Sequence, residues 1–172
     1  MIRISITGPE STGKSWLAEH LANYYHTCWV PEYSRIYLKQ INRKYTYKDI
    51  LNISKGQFRA EEKASNSSDL IFCDTDFLVT SIWCTVKYSK CHPWITEKLR
   101  ENRYDLYLLC NIDLPWEFDP LREHQEMRAE LFAMYQQVLK SNNFNFQIIS
   151  GIGMERLQNA IQAIDELLMI KT

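Results

Sequence analysis

Residues 8–15 read Gly8-Pro9-Glu10-Ser11-Thr12-Gly13-Lys14-Ser15, directly after the run IRISIT at 2–7. Two glycines, a lysine and a serine at this spacing make a phosphate-binding loop when a strand precedes them and a helix follows. Ile2 to Thr7 reads as that strand. Lys14 to Tyr25, with Leu17, Leu21 and Tyr24 at helical spacing, reads as that helix. Gly8 and Gly13 allow backbone conformations that turn successive N–H groups onto phosphate oxygens, and the positive helix end adds to that field. On this reading Lys14 reaches the β- and γ-phosphates of a nucleoside triphosphate and Ser15 ligates Mg²⁺. Glu10, Ser11, Thr12 and Trp16 complete the nucleotide site, Ser11 and Thr12 through backbone amides.

Outward from the loop, short apolar runs alternate with helical stretches, the pattern of a parallel sheet wrapped by helices. Strands are expected at 2–7, 28–31, 70–73, 106–110 and 146–149, each buried on both faces. Further helices are expected at 46–64, 77–86, 95–99, 128–139 and 154–169. Thr46 and Asp49 stand in capping-box positions for the first of these. The last carries Leu157, Ile161, Ile164 and Leu168 as a core-facing stripe. The stretch 111–125 holds two prolines, several charges and little periodicity, which marks a lid.

In an open parallel sheet, ligands gather beyond the carboxyl ends of the strands. The second strand ends in PEYSR, placing Glu32, Tyr33 and Arg35 there, and the third ends in CDTD, placing Asp74 and Asp76. Asp74 sits where a carboxylate holds magnesium through a water; the alternative is a helix cap. Asp76 reads equally as an N-cap and as a carboxylate facing an acceptor. Glu32 is placed to orient an alcohol and take its proton, and Arg35 holds acceptor oxygens or merely pairs with Glu32. Arg122 and Arg128, in and beside the lid, carry the charge that a transferring phosphoryl group needs opposed.

A GTP switch would show Asn-Lys-x-Asp and a glycine soon after the strand-end Asp, but Asp74 is followed by TDFL and Cys110 by NID. A ring-forming ATPase would show an Asp-Glu pair where this chain has Asp74-Thr75, and a further helical domain. A small kinase needs a phosphate loop, a carboxylate after the second strand, a metal-side Asp and an arginine-bearing lid. All four are present.

Together GPESTGKS, PEYSR, DTDFLVTSIW and LPWEFDPLR resemble the ribosylnicotinamide kinase domain of NadR-type proteins, over 8–128. The resemblance implies a three-layer α/β P-loop kinase fold with five parallel strands in the order 2-3-1-4-5. It also implies ATP-dependent phosphorylation of the ribose 5′-hydroxyl of nicotinamide riboside. It assigns Lys14 and Ser15 to nucleotide and magnesium, Glu32 with Asp74 or Asp76 to acceptor and metal, and Arg122 and Arg128 to the lid. Pro120 stands where the family often has Gly, and the adenylyltransferase domain that precedes the kinase in fused members is expected to be lacking.

Composition bounds the remaining possibilities. The 172 residues suit one domain, 1–172, with its lid at 111–128. A formal net charge of −1 provides no basic surplus for binding a nucleic acid. Five scattered cysteines without a C-x-x-C pair read as reduced thiols, and no leader or membrane-spanning run is read, so a cytoplasmic protein without a membrane partner is expected. The expected partners are ATP and a small nucleoside, with self-association left open. Trp29, Tyr33, Trp83, Tyr88, Trp94 and Trp116 are candidates to face a pyridinium ring.

Overall fold

The computed structural model describes residues 1–101 and 103–171. Five strands, β1 Ile2–Thr7, β2 Cys28–Val30, β3 Leu70–Asp74, β4 Leu106–Cys110 and β5 Phe146–Ile149, form one sheet in the order β2-β3-β1-β4-β5. Every adjacent pair is parallel. The chain leaves β1 for one edge through β2 and β3, then crosses to the other edge through β4 and β5. That reversal opens a crevice above the carboxyl end of β1, where the GPESTGKS loop lies.

Among the described residues seven helices connect or flank the strands: α1 Lys14–Tyr24, α2 Tyr33–Gln40, α3 Tyr47–Ser65, α4 Phe77–Tyr88, α5 Pro93–Arg100, α6 Arg128–Ser141 and α7 Met154–Lys171. Side-chain alternation along the strands divides the core in two. Ile4, Ile6, Phe72 and Leu108 face Leu17 and Leu21 of α1 and Leu157 and Ile164 of α7. Ile71, Cys73 and Leu109 face Phe77, Leu78 and Ile82 of α4, Leu99 of α5, and Leu131, Tyr135 and Leu139 of α6. The result is three layers, as expected.

Several expectations are corrected. Burial on both faces holds for β1, β3 and β4 but not for the edge strands; Ile148 of β5 is exposed. Strand β1 is not a uniform apolar run. Its Ser5 and Thr7 are fully buried, and the Ser5 hydroxyl bonds Asp76. Tyr24 of α1 is exposed; Ala18 and Ala22 complete the buried stripe. The capping box at Thr46 and Asp49 is present as anticipated. Helix α2 was not anticipated at all. All five cysteines are free thiols, with Cys73, Cys84 and Cys110 buried. Among the described residues, no helix is long and apolar enough to cross a membrane.

Candidate functional site

The phosphate loop closes the gap between β1 and α1 with two glycines at positive φ, Gly8 at 130° and Gly13 at 75°. A Cβ on Gly8 would stand 3.0 Å from the Cys110 carbonyl oxygen, so the loop can lie against β4 only because the side chain is missing. Ser11 also takes positive φ, at 57°, a strained conformation for a residue with a Cβ. The Lys14 ammonium donates to the carbonyls of Gly8 at 3.0 Å and Pro9 at 2.6 Å. Thr12 Oγ1 donates to the Pro9 carbonyl.

In the first turn of α1 the Ser15 hydroxyl donates to Asp74 Oδ2 at 2.6 Å. The other oxygen, Oδ1, is buried without a partner among the described residues. Burial pushes the Asp74 carboxyl up to about 6, helped by the negative charge of Glu32 and opposed by Ser15 and Lys14. A hydroxyl beside a carboxylate with an unused buried oxygen is a donor set suited to a hard divalent cation such as Mg²⁺.

Glu32 stands across the crevice at the N-terminus of α2. It accepts from Ser34 Oγ at 2.6 Å and from Arg35 Nε at 3.1 Å. Arg35 also donates through Nη1 to Asp119 Oδ2 at 2.7 Å, in the lid. The ion pair with Glu32 that the sequence offered as an alternative is therefore formed, and it extends into the lid.

The lid, 111–128, is irregular as expected, apart from a short 3-10 turn at Gln125–Met127. It is fastened to the phosphate loop. The Glu117 N–H donates to Ser11 Oγ at 2.8 Å, Arg122 Nη1 to the same oxygen at 3.2 Å, and Arg128 Nη2 to the Ser11 carbonyl at 3.1 Å. Glu10 accepts from the N–H groups of Glu123 and His124. Burial would raise the Glu10 carboxyl, but the His124 imidazole, 3.5 Å away, together with these N–H groups outweighs it and holds the group low, while Glu10 in turn raises the His124 imidazole. Glu123 bonds Tyr45 and Lys87, and Tyr45 accepts from the Trp83 indole.

These segments enclose a cleft of about 920 Å³. Gly8 to Trp16, Glu32, Arg35, Asp74, Trp83 and Arg122 are among the residues that line it.

Three expected site residues are not among those lining the cleft. Asp76 is fully buried, and it caps α4 by accepting from the Val79 N–H at 2.8 Å while Ser5 occupies its other oxygen; the cap reading holds and the acceptor-facing one does not. The Tyr33 ring packs where a Cβ on Gly56 would be, 2.0 Å from it, so Tyr33 joins α2 to α3 instead of meeting a substrate. Arg128 donates to the Ser11 and Leu114 carbonyls, with its guanidinium 6.0 Å from the Trp116 ring centroid. Of the candidate aromatics, Trp29 and Trp83 line the cleft. Tyr88 packs on Tyr47, and Trp94 on Phe58 and Phe77.

The profile of the AAA domain family matches residues 3–156, a span that runs from β1 past the start of α7 and takes in the loop, Glu32, Asp74 and the lid. The chain belongs to this AAA domain family. It is homologous to the protein described as "Trifunctional NAD biosynthesis/regulator protein NadR". Identity to the one from Escherichia coli K12 is 30% over 151 residues, which is 83% of this chain and 37% of that protein. To the Salmonella typhimurium protein it is 26% over 174 residues, covering 96% and 42%. The chain thus spans about two fifths of the length of these curated relatives. Among solved structures it superposes on a NadR protein in complex with NR with a TM-score of 0.83 at 24% identity, covering 96% of this chain and 49% of that one. It superposes on thymidylate kinase from Ehrlichia chaffeensis with a TM-score of 0.66 at 13% identity, covering 96% and 98%. The fold is therefore that of the P-loop kinases.

This AAA domain has no Asp-Glu pair at the end of β3. Thr75 follows Asp74 at φ 81°, and the strained turn sends Asp76 inward to its cap. Two site residues of the AAA domain escaped sequence reasoning. Asp119 is one, known beforehand only as a letter in the lid. Arg156 of α7 is the other, 1% exposed and lining the cleft. Its guanidinium donates to the carbonyls of Thr12 at 3.0 Å and Gly151 at 2.9 Å and pairs with Asp113, so one buried cation ties the loop to the β4 and β5 ends. A single arginine in an amphipathic helix carries no sequence signal for such a role.

Proposed function

We propose that the chain is an ATP-dependent kinase that phosphorylates the ribose 5′-hydroxyl of nicotinamide riboside, giving nicotinamide mononucleotide in NAD biosynthesis. The observation that carries this reading is that one cleft is lined by the Ser15–Asp74 pair, by the phosphate loop and by Glu32. The NadR homology, and the NR complex of a NadR protein with the same fold, support the choice of acceptor. A NadR protein of the same fold also binds NAD and AMP-PNP, which supports ATP as the donor.

Lys14 leaves the Gly8 and Pro9 carbonyls for the β- and γ-phosphate oxygens, while the loop amides hold the triphosphate. Ser15 and Asp74 would hold Mg²⁺, which would screen phosphate charge. Glu32 orients the acceptor hydroxyl toward the γ-phosphorus and receives its proton. Arg122, on the cleft wall, opposes the charge that spreads over the transferring group. Arg128 and Arg156 hold the loop's shape through its Ser11 and Thr12 carbonyls. We read 1–172 as one kinase domain working in the cytoplasm on two small molecules.

The test is incubation with MgATP and a panel of nucleosides, with product masses read directly. Nicotinamide riboside should gain one phosphoryl group. Turnover of uridine or cytidine alone would overturn the acceptor, and no acceptor-dependent ADP across the panel would overturn the kinase.

A further inference from the structure

The lid touches both halves of the cleft, and one carboxylate stands where the two sets of contacts meet. Asp119 Oδ2 accepts from Arg35 Nη1 at 2.7 Å and lies 4.0 Å from Arg122 Nε. Its Oδ1 is occupied by the Leu121 N–H at 2.9 Å, so Oδ2 alone serves the two arginines. That backbone bond, with Arg35 next, holds the Asp119 carboxyl below its usual range. Arg35 leads to the acceptor side, because its Nε donates to Glu32 Oε2. Arg122 leads to the donor side, because its Nη1 donates to Ser11 Oγ of the phosphate loop. The carboxyl oxygens of Glu32 are both engaged, one by Ser34 and one by Arg35.

We propose that Asp119 is a positioning residue that makes acceptor binding depend on the triphosphate. This rests on the kinase reading above. Arg122 is the looser partner of Asp119, and a triphosphate in the loop draws its guanidinium away by charge. Asp119 Oδ2 is then left to Arg35 alone. The stronger Arg35–Asp119 pair pulls the guanidinium off Glu32 and releases Oε2 to receive the acceptor hydroxyl. Without nucleotide, Arg35 bridges Glu32 and Asp119, and the acceptor carboxylate is occupied. The coupling is reciprocal, as any linkage between two binding sites must be.

The test is a calorimetric titration of nicotinamide riboside into the whole chain, with and without saturating Mg²⁺ and AMP-PNP, for the wild type and for Asp119→Asn and Asp119→Glu. The wild type should bind the nucleoside about 5- to 150-fold more tightly with the analogue present, the usual span of such couplings. Asp119→Asn should bind AMP-PNP alone at least as tightly as the wild type does, because Arg122 loses a resting partner, with the ratio falling toward one, and Asp119→Glu should restore part of it. In turnover, Asp119→Asn should raise the nucleoside KM measured at saturating ATP by more than it lowers kcat. A wild-type ratio of one, or an Asp119→Asn ratio equal to the wild type's, overturns the proposal. So does loss of AMP-PNP binding in the variant, which would make Asp119 a support of the loop. If a different nucleoside is the one phosphorylated, the same ratio measured with that nucleoside decides, so the acceptor's identity and the coupling fail separately.

Discussion

Glu32 and Asp74 are two carboxylates in one cleft with different surroundings, and that difference sets what each can do. Glu32 sits among donors at the start of α2, whereas Asp74 is almost wholly buried with one oxygen free. Replacing Glu32 by Gln should lower kcat by about 10²- to 10⁴-fold, the usual contribution of a general base, with AMP-PNP affinity kept. A Glu32→Gln enzyme with near wild-type kcat would remove Glu32 from the chemistry. Asp74 titrates near 6 without ligand, and a cation needs the ionised form. Affinity for Mg²⁺ with AMP-PNP should therefore fall as the pH is lowered through about 6, and Asp74→Asn should bind weakly at every pH. Calorimetry from pH 5 to 8 in both proteins checks this. At this scale the sequence was legible where the spacing of the loop fixes a residue's place, as at Lys14 and Ser15, which line the cleft. It was silent where rotation about one bond chooses between neighbours. Asp76 turns inward because Thr75 takes positive φ, which no letter announces.

At the scale of elements, boundaries marked by local chemistry could be read directly. Thr46 caps α3 because its own side chain and that of Asp49 satisfy backbone N–H groups that a helix start leaves open. Thr46→Ala should cost about 1 kcal/mol in denaturant unfolding. Helix α2 was missed for a physical reason. Its eight residues bury only Ser34, so no apolar stripe marks it, and it is held from outside by Gln57, whose Oε1 accepts from the Tyr33 N–H at 3.0 Å. The Tyr33 ring on Gly56 completes that attachment. Gly56→Ala should destabilise the protein by about 1–3 kcal/mol through overpacking, and the double variant with Tyr33→Leu should recover part of the loss. Equal stability of Gly56→Ala and wild type would mean that α2 is not fastened there.

For the molecule as a whole, the alternation of runs led to a three-layer parallel sheet, and the strand order came with the family resemblance. The meeting of lid and loop was not legible, because contacts such as Glu117 on Ser11 depend on how a segment without periodicity folds back across 106 residues. The fold also encloses Glu61 of α3, fully buried against Tyr104. Burial raises its carboxyl to about 7, against the bonds from Tyr104. A carboxyl whose folded pKa lies above its unfolded value adds stability below about pH 4.5, and that stability is lost as the pH rises through 7. Unfolding midpoints should decline across that window and decline less in Glu61→Gln; parallel profiles would show that Glu61 does not cause the slope. Finally, Lys14, Ser11 and Glu10 all have partners in the protein before any ligand arrives. Nucleotide entry is therefore an exchange of one set of partners for another. Its measured affinity is a difference, and substitutions that loosen the resting contacts without touching the phosphates can strengthen it.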